Sequence, residues 1–533
     1  MSAFSIVVYA IMSIYMVLNF KYDLQMFQQN SYRLGRYCRW LKGNVGSTWR
    51  LVDVACLFLM MATLLDYRLS ALIVVLVALS KIFLIFRRKY KKPLVFTSRV
   101  WRLYSVTSLL ALGGVAALAV CLNGRTFWGY YPGSAMTMDG ILLMSVMSYV
   151  IVMLADVILM PVEWLNRRRY INDAKRILRS MPDLKVIGVT GSYGKTSTKH
   201  YLARILSEEF DTLITPGSFN TPMGVVRTIR EQMKPYNQIF ICEMGAKQLG
   251  DIKEICDIVH PSMGIVTAVG PMHLETFKSI GNVCRTKFEL VDALPADGFA
   301  AINNDSDPCA GRKVDNVRVA RYGVTSTKGC DYYARDVHYT ASGTTFIVEG
   351  PDGLKFDVET RLLGEGNISD LLGAIVIALQ LGMTPAKIRV AVASIQPVEH
   401  RLSIRQIPGN ITVIDDAFNS NPAGARMAAD VLAHFKEGRR IMITPGMVEL
   451  GSRQVDLNRE FGEYIGAEDR ADIIIIVGLT NRDALVEGVK ATDFDTDNLI
   501  VADNFTEAQQ RLQPLLTPGA TVLYENDLPD SFK

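Results

Sequence analysis

The chain has 533 residues, with 57 Lys and Arg against 53 Asp and Glu, and a mean hydropathy of +0.18. This length predicts three or four domains of about 150 residues each, and the composition excludes a disordered chain, a collagen-like chain and a small disulfide scaffold. Residues 1–183 carry 22 Lys or Arg and 8 Asp or Glu, a net charge of +14, whereas residues 184–533 carry 35 and 45, a net charge of −10. A basic, apolar first part and an acidic second part argue against a nucleic-acid partner.

The eight cysteines are scattered singly along the sequence. None of them forms the CxxC spacing that zinc ribbons and thioredoxin-like motifs use. Cys56, Cys121 and Cys242 lie in apolar runs, which predicts buried and reduced thiols.

Hydrophobicity is concentrated before residue 165. Five apolar runs cover residues 3–20, 51–65, 69–86, 104–122 and 140–161. A bilayer core needs about 20 apolar residues in a helix, so four runs are long enough and residues 51–65 are marginal. The first run lacks the basic start and small-residue cleavage site of a signal peptide. The sequence therefore predicts a membrane region over residues 1–163 with about five transmembrane helices.

Basic residues in the connecting segments predict the orientation of these helices. Segments 21–50, 87–103 and 164–180 hold six, seven and six Lys or Arg, whereas the alternate segments hold one each. The positive-inside rule places the basic segments in the cytoplasm. We therefore expect a multi-pass protein of the plasma or inner membrane, with its N-terminus outside and everything after the last span in the cytoplasm.

Two charged residues and one amphipathic segment of the membrane region have possible roles besides anchoring. Lys81 and Asp156 each lie about five residues from a cytoplasmic helix end. Lys81 is expected to extend its ammonium to the interface, whereas Asp156 is either structural or marks a site. The basic, aromatic segment 22–41 is either an interfacial helix or a loop helix that packs on the cytoplasmic part.

A basic linker helix is predicted over residues 164–183, after which the composition is that of a soluble α/β protein. The apolar run 184–190 precedes GSYGKTS at 191–197, and a helical pattern follows. A strand, a Gly-rich turn and a helix in this order cradle phosphates with backbone N–H groups, a lysine and a hydroxyl that can ligate magnesium. The residues expected to bind ATP here are Gly191, Ser192, Gly194, Lys195, Thr196 and Ser197.

The variant VTGSYGKTSTK and seven further motifs resemble the Mur ligases, the ATP-dependent amide-forming enzymes of peptidoglycan precursor synthesis. These motifs are TPGSFNTPMGV (215–225), IFICEMGAKQLGDI (239–252), TAVGPMHLETFKSIGNVCRTKFELV (267–291), AINNDSDP (301–308), HRLSIRQI (400–407), VIDDAFNSNPAGA (413–425) and PGMVELG (445–451). The resemblance covers about residues 184–530, and DDAFNSNP and MVELG are most similar to the branch that adds D-alanyl-D-alanine.

The resemblance implies a reaction in which the γ-phosphoryl group of ATP activates a carboxylate as an acyl phosphate, which an amine then attacks. It assigns the phosphates to Lys195 and Arg401, and the nucleotide also to Asn304, Asn367 and Asp416, with Asn419 in the same motif as Asp416. It assigns Mg²⁺, with two ions expected, to Thr196, Glu243, His273 and a carbamylated Lys287. The implied catalytic residues are Lys195, Lys287, His273 and Arg401.

The sequence also departs from the family pattern. Membrane spans stand where the family has a domain for a UDP-linked substrate. GNISD (366–370) stands where the family has HNxxN, and YENDLPD (524–530) where it has Lys-Gly-Ser. These departures weigh against the usual UDP-muramoyl substrate.

The expected fold class is a membrane α-helical N-terminal region plus α/β. A P-loop central domain is expected over residues 184–395, with a strand-rich insert near 330–360, and a Rossmann-like C-terminal domain over 396–533. The expected function is a membrane-anchored, ADP-forming ligase that couples an amino acid or peptide to a carboxylate on a cell-envelope precursor or polymer, with a lipid-linked acceptor included.

Three alternatives stay open. One is a tethered D-alanyl-D-alanine-adding ligase, and another is an ATP-driven transporter. The few charges within the spans and the missing LSGGQ-like signature oppose a transporter. The third is a non-catalytic ATP-binding scaffold, which the retention of Lys195, Glu243, His273 and Lys287 opposes.

Overall fold

The computed structural model describes residues 3–44, 50–61, 67–87, 90, 93–122, 125–127, 131–272, 274–340, 343–398, 400–417 and 421–527. The chain divides into two compact units, Met1–Arg168 and Arg169–Lys533. We call them the helical unit and the α/β unit.

The helical unit consists mainly of long apolar helices. They are α1 (Ala3–Gln29), α2 (Leu34–Gly43), α3 (Arg50–Met61), α4 (Tyr67–Arg87), α5 (Ser98–Leu122), α6 (Gly133–Val146) and α7 (Ser148–Arg179), with a short antiparallel pair β1 (Thr126–Phe127) and β2 (Tyr131–Pro132). The residues of α7 after Arg168 belong to the α/β unit. Among the described residues, α1, α4, α5 and α7 are the four helices long and apolar enough to cross a membrane.

The remaining two apolar runs differ from simple spans. The run 140–161 is interrupted at Met147, between the end of α6 and the start of α7. Helix α6 has 14 residues, about 21 Å of helix, which is less than the roughly 30 Å of a bilayer core. The run 51–65 forms α3 as far as Met61, and residues 62–66 lie outside the described part. The segment 164–183 forms the end of α7 as far as Arg179.

Lys81 is buried in the helical unit, so the expectation that its ammonium reaches the interface is wrong. Its side chain is 6% exposed, and its Nζ lies 2.8 Å from Asp53 Oδ1. The same ammonium donates to Tyr15 Oη at 2.9 Å, and the Tyr15 hydroxyl donates to Asp53. A carboxylate on α3 thus gives the lysine a partner inside the helix bundle. Asp156 likewise has a partner, because Arg99 Nη2 lies 3.2 Å from its Oδ1.

The segment 22–41 forms the end of α1 and most of α2. Tyr37 on α2 is fully buried, its ring lies 5.1 Å from that of Phe27, and its hydroxyl donates to Asp23 Oδ1 at 3.1 Å. Helix α2 therefore packs on helices of its own unit.

The first sheet of the α/β unit is largely parallel. Its strands are β3 (Lys185–Thr190), β4 (Thr212–Ile214), β5 (Ile239–Glu243), β6 (Met263–Val266), β7 (Phe299–Asn303), β8 (Arg318–Gly323), β9 (Tyr332–Thr340), β10 (Gly343–Glu349) and β11 (Lys355–Thr360). Their order is β11–β10–β9–β8–β7–β6–β3–β5–β4, and only the pairs β9–β10 and β10–β11 are antiparallel among the described strands. Strands β9, β10 and β11 form the strand-rich insert that the sequence predicts near residues 330–360.

Helices cover both faces of this sheet. They are α8 (Lys195–Leu206), α9 (Pro222–Gln232), α10 (Asp251–Val259), α11 (Leu274–Phe277), α12 (Ile280–Asp292), α13 (Asp307–Ala310), α14 (Glu365–Gln380) and α15 (Pro385–Ala393). Successive strand residues point to opposite faces: Ile187 packs in a core with α8, α14 and α15, and Val186 packs in another with α9, α10 and α12. Burial on both faces explains why β3 and β5 are continuous apolar runs.

A second, six-stranded sheet follows. Its strands are β12 (Ser403–Ile407), β13 (Ile411–Asp416), β14 (Arg440–Thr444), β15 (Ile473–Val477), β16 (Leu499–Ala502) and β17 (Thr521–Glu525), in the order β12–β13–β17–β14–β15–β16. The described pairs are parallel except β12–β13. Helices α16 (Pro422–Ala433), α17 (Gln454–Gly466) and α18 (Arg482–Lys490) pack on one face and α19 (Phe505–Leu512) on the other.

The buried ion pair of the helical unit generates a prediction. Lys81→Met should destabilise the protein by about 3 kcal/mol or more, because it leaves the Asp53 carboxylate buried without its cation. The double variant Lys81→Met with Asp53→Asn should recover most of this loss. Thermal unfolding in detergent measures both, with Arg87→Met, exposed on the same helix, as the control. An equal loss in the single and double variants would contradict the role of the ion pair.

Candidate active site

The phosphate-loop sequence lies between β3 and α8, as predicted. Gly194 has φ +76°, and a Cβ there would lie 2.0 Å from Asp370 Oδ1. Only glycine satisfies both the left-handed backbone and this close approach. The Ser192 N–H donates to the Ala268 carbonyl at 2.6 Å, which fastens the loop to the segment after β6. Lys195, Thr196 and Ser197 at the N-terminus of α8 line the cavity described below, and a helix N-terminus favours the binding of an anion.

Lys195 opens α8 and lies against the loop itself. Its Nζ donates to the carbonyls of Gly191 and Ser192, at 2.8 Å each. Burial lowers the pKa of this ammonium to about 8, against the opposing effect of the Glu243 carboxylate. An anionic ligand beside the loop would supply the negative charge that favours the protonated form.

Glu243, at the end of β5, is the centre of a buried polar cluster. The Thr196 hydroxyl donates to its Oε2 at 3.0 Å, and the Asn220 amide donates to its Oε1 at 2.9 Å. Lys199 Nζ lies 3.0 Å from Oε2, and both partners of this ion pair are at most 1% exposed. Burial alone would raise the pKa of Glu243, but the Lys199 and Lys195 ammonium groups outweigh it and hold that pKa below its usual value.

The donor set fits magnesium at Thr196 and Glu243. Their oxygens are hard donors 3.0 Å apart beside a phosphate loop, and Mg²⁺ takes one or two protein oxygens together with phosphate and water oxygens. Within the described ranges, no group of three His, Cys, Asp or Glu side chains could hold a metal ion by itself. Nucleotide and water oxygens would therefore have to complete the coordination. His273 lies outside the described residues.

Lys287 lies on α12 and is 3% exposed. Burial, with the Lys195 cation as a second cause, holds the pKa of its amine well below the usual range. A neutral amine is the form that can react with CO₂ to give a carbamate. The structure thus meets one requirement for the modification, which stays a prediction.

Of the two asparagines expected to bind the nucleotide, Asn367 lines the cavity described below and Asn304 does not. The amide of Asn304 donates to the Lys328 carbonyl at 2.9 Å and accepts from Arg321 at 3.2 Å, whereas its neighbour Asn303 lines the cavity described below. Asn367 also lines the cavity. Its amide is held by the Leu363 carbonyl at 2.8 Å and by the Tyr201 hydroxyl at 2.9 Å.

Arg401 lies in a short segment with unusual backbone geometry. His400 and Leu402, on either side, have φ values of +60° and +49°, which is strained backbone for residues other than glycine. The Leu402 N–H donates to Asp416 Oδ1 at 3.1 Å. Burial, and then the Glu525 carboxylate, raise the pKa of Asp416 well above its usual value. The hydrogen bond to Asp416 thus helps to fix the segment that carries Arg401.

A cavity of about 1390 Å³ brings most of these residues together. Its lining includes the predicted residues Ser192, Gly194, Lys195, Thr196, Ser197, Glu243, Asn367, Arg401 and Asp416. Ligand sites commonly measure about 300–1,000 Å³, so this cavity is larger than a usual small-molecule site. Elements of both sheets contribute to its walls.

The two residues that depart from the HNxxN pattern, Gly366 and Asp370, both line this cavity. A Cβ at Gly366 would lie 2.9 Å from Met427 Sδ, so Met427 fills the space next to the small residue. Asp370, where the family has its last Asn, packs on Gly194, and burial raises the pKa of its carboxyl to about 7.

Three residues of the site were missed in the sequence. Lys199 ends the motif VTGSYGKTSTK, and Asn220 and Asn303 lie within the motifs 215–225 and 301–308, but no feature of these motifs marks the three residues. The signals available for Lys199 are its place in this motif and its spacing four residues after Lys195, on the same helix face.

The chain matches two protein-family models. They are the Mur ligase middle domain, over residues 189–378, and the Mur ligase, glutamate ligase domain, over residues 400–524. The UDP-N-acetylmuramoyl-tripeptide–D-alanyl-D-alanine ligase of Escherichia coli K12 is 29% identical over 345 residues, 64% of this chain and 75% of that protein. The ligase of the same name from Mycobacterium tuberculosis H37Rv is 30% identical, over 64% of this chain and 70% of its own length.

Solved structures agree with these matches. MurF from Acinetobacter baumannii superposes with a TM-score of 0.62 at 27% identity, and covers 68% of this chain and 77% of that one. The chain belongs to the Mur ligase family. It is an ATP-dependent, ADP-forming amide ligase, and its α/β unit has the MurF-like fold. MurF from Thermotoga maritima, solved in complex with ADP, superposes with a TM-score of 0.60 at 25% identity over 68% of this chain and 80% of that one.

Asp370 gives this ligase a testable pH dependence. Because its pKa of about 7 lies above the ordinary 3.8, the folded state holds a proton that the unfolded state has lost, and stability falls as pH rises from about 4 to 7. Asp370→Asn removes this loss, so its stability relative to the wild type should increase over that interval and then level off. The gain has an upper limit of about 4 kcal/mol.

Denaturant unfolding at pH 4 to 8 measures this gain. The exposed Asp315→Asn is the control. A stability difference between Asp370→Asn and wild type that does not change with pH would contradict the buried, protonated carboxyl.

Proposed function

We propose that this Mur ligase is anchored in the cytoplasmic membrane by its helical unit and joins an amino acid or short peptide to a carboxylate on a cell-envelope precursor. The observation that carries the proposal is the convergence of Lys195, Thr196, Glu243 and Arg401 on one cavity. The same chain contains four helices that are apolar and long enough to span a bilayer. Basic segments at alternate helix ends favour a cytoplasmic α/β unit.

The residues of the cavity suit a reaction between anions. A carboxylate must approach a triphosphate, so positioning and neutralisation of charge are the main tasks. Lys195 and Arg401 are the cations for the phosphates, and Thr196 and Glu243 are the oxygen donors for Mg²⁺. ATP supplies the phosphoryl group that activates the carboxylate and leaves as ADP. The amine then attacks the resulting acyl phosphate, and inorganic phosphate leaves as the amide forms. A second Mg²⁺ would be held by His273 and carbamylated Lys287.

The helical unit supports a membrane-held acceptor. The E. coli relative matches this chain over 75% of its own length, and residues before the family-model matches include the whole helical unit. A lipid-linked or polymeric acceptor would share the plane of the membrane with its enzyme, which raises the effective concentration of the acceptor at the cavity.

A second candidate is a D-alanyl-D-alanine ligase that acts on a UDP-linked muramoyl tripeptide. The names of the matched relatives favour it. The two candidates differ in the acceptor, since one predicts a membrane-bound product and the other a soluble one.

The decisive experiment is an ATP-consumption assay of the full chain in lipid vesicles. Amino acids and dipeptides are supplied together with either membrane extract or soluble UDP-linked precursors. We expect ADP release with membrane extract, and mass spectrometry should find the new amide on a lipid-linked or polymeric product. Lys195→Ala should reduce this activity by at least 10³-fold, because Lys195 is a phosphate cation, whereas the exposed control Lys253→Met should not. Amide formation on soluble precursors alone would favour the second candidate, and no amide with either would overturn both.

Lys287 tests the carbamate separately. Lys287→Ala should strongly reduce activity, and small carboxylates such as acetate should partly restore it, because a carbamate is a carboxylate-like metal ligand. Lys287→Arg should not be rescued, since a guanidinium places a permanent positive charge in the site. ADP release with and without acetate measures this. Full activity of Lys287→Ala without acetate would contradict the carbamate.

A further inference from the structure

Lys199 is a fully buried lysine next to the proposed metal site. Its Nζ donates to the carbonyls of Thr215 at 2.8 Å and Gly217 at 2.7 Å, and lies 3.0 Å from Glu243 Oε2. An ammonium has three N–H donors, and these three acceptors satisfy them. A buried charge costs free energy unless it is paired and hydrogen-bonded. Three acceptors, one of them Glu243 itself, therefore stabilise one buried cation at this position.

The contacts of Lys199 link Glu243 to the loop between β4 and α9. The Thr215 hydroxyl accepts from the Glu243 N–H at 3.1 Å, and Asn220, at the end of the same loop, donates to Glu243 Oε1 at 2.9 Å. The loop between β4 and α9 and the end of β5 are thus joined through one ammonium. Thr196, the other proposed metal ligand, contacts the same Oε2 as Lys199.

We propose that Lys199 is a resident cation that makes metal binding depend on the nucleotide. It holds the Glu243 carboxylate and the 215–220 loop in place when the metal is not bound. Its positive charge also repels a divalent ion that approaches Glu243 when no nucleotide is bound. This inference rests on the proposed assignment of Thr196 and Glu243 to Mg²⁺.

The sign of the effect follows from the charges. A unit charge and a divalent cation about 5 Å apart repel each other by about ten times RT at an effective dielectric constant of about 20. The negative charges of a triphosphate offset this repulsion. The metal ion therefore binds tightly only when ATP is bound, because the phosphates of ATP offset the charge of Lys199.

A role limited to fastening the loop predicts the opposite result on removal of the lysine. Without its fastening, Glu243 and Asn220 would lose their alignment, and metal affinity would fall or stay the same. The two roles are therefore separated by the direction in which metal affinity changes.

The test uses the full chain in detergent and Mn²⁺ as the probe for the Mg²⁺ site. Electron paramagnetic resonance of free Mn²⁺ gives the dissociation constant with and without a non-hydrolysable ATP analogue. The variants are Lys199→Met, which removes the charge at similar length, and Lys199→Gln, which keeps N–H donors for the two loop carbonyls. Lys253→Met, on an exposed lysine paired with Asp257, is the control.

We expect the wild type and the control to bind Mn²⁺ at least tenfold more weakly without the analogue than with it. Both Lys199 variants should bind Mn²⁺ at least tenfold more tightly than wild type when the analogue is absent, so that the dependence on nucleotide shrinks. Unchanged or weaker binding in the folded variants would overturn the proposal, and so would the failure of both variants to fold, since that shows a structural role. Glu243→Gln checks the assignment beneath it: if wild type with the analogue binds no Mn²⁺, or Glu243→Gln binds it equally well, the metal site itself is wrong.

Discussion

The active-site region depends on the balance of buried charge around Glu243. A carboxylate with 1% exposure is stable only where cations and N–H donors surround it. Lys199 and Thr196 on α8, and Asn220 in the loop after β4, provide this surrounding from two separate segments of chain. The end of β5, which carries Glu243, is held to α8 and to the loop after β4 because the carboxylate takes partners from both.

The same balance explains the state of the other basic groups in the cavity. Lys195 lies on the carbonyls of its own loop and has a lowered pKa, because burial is only partly offset by Glu243. Arg401 is supplied by a segment of strained backbone, held through the Leu402 N–H by Asp416. Under the proposed function, Lys195 and Arg401 are the cations that an anionic ligand meets in this cavity.

The helical unit also pairs its buried charges, here among apolar helices. Lys81, Asp53 and Tyr15 pair with one another from three helices. In a bilayer, such a set is a strong constraint on which helices pack together, since an unpaired charge would be very costly there. Helix α3 is too short in its described part to be a convincing span by its apolar residues alone, and the ion pair gives it a specific place beside α1 and α4.

The sequence by itself determined the class of each part and much of the site. Uninterrupted apolar runs predicted membrane helices and buried parallel strands, because hydrophobic periodicity is a local property of the chain. The phosphate loop and the family motifs located Lys195, Thr196, Glu243, Arg401 and Asp416, and the structure brings these five to one cavity.

Only the tertiary structure decided which polar residues are partners. Lys81 and Asp53 are 28 residues apart and Lys199 and Glu243 are 44 apart, and no local pattern shows that these pairs meet. Likewise, two adjacent asparagines look equivalent in the sequence, yet Asn303 lines the cavity and Asn304 binds the Lys328 carbonyl. The physical reason is that desolvation acts on the assembled core: whether a lysine is an exposed side chain or a buried cation depends on residues that only folding brings beside it.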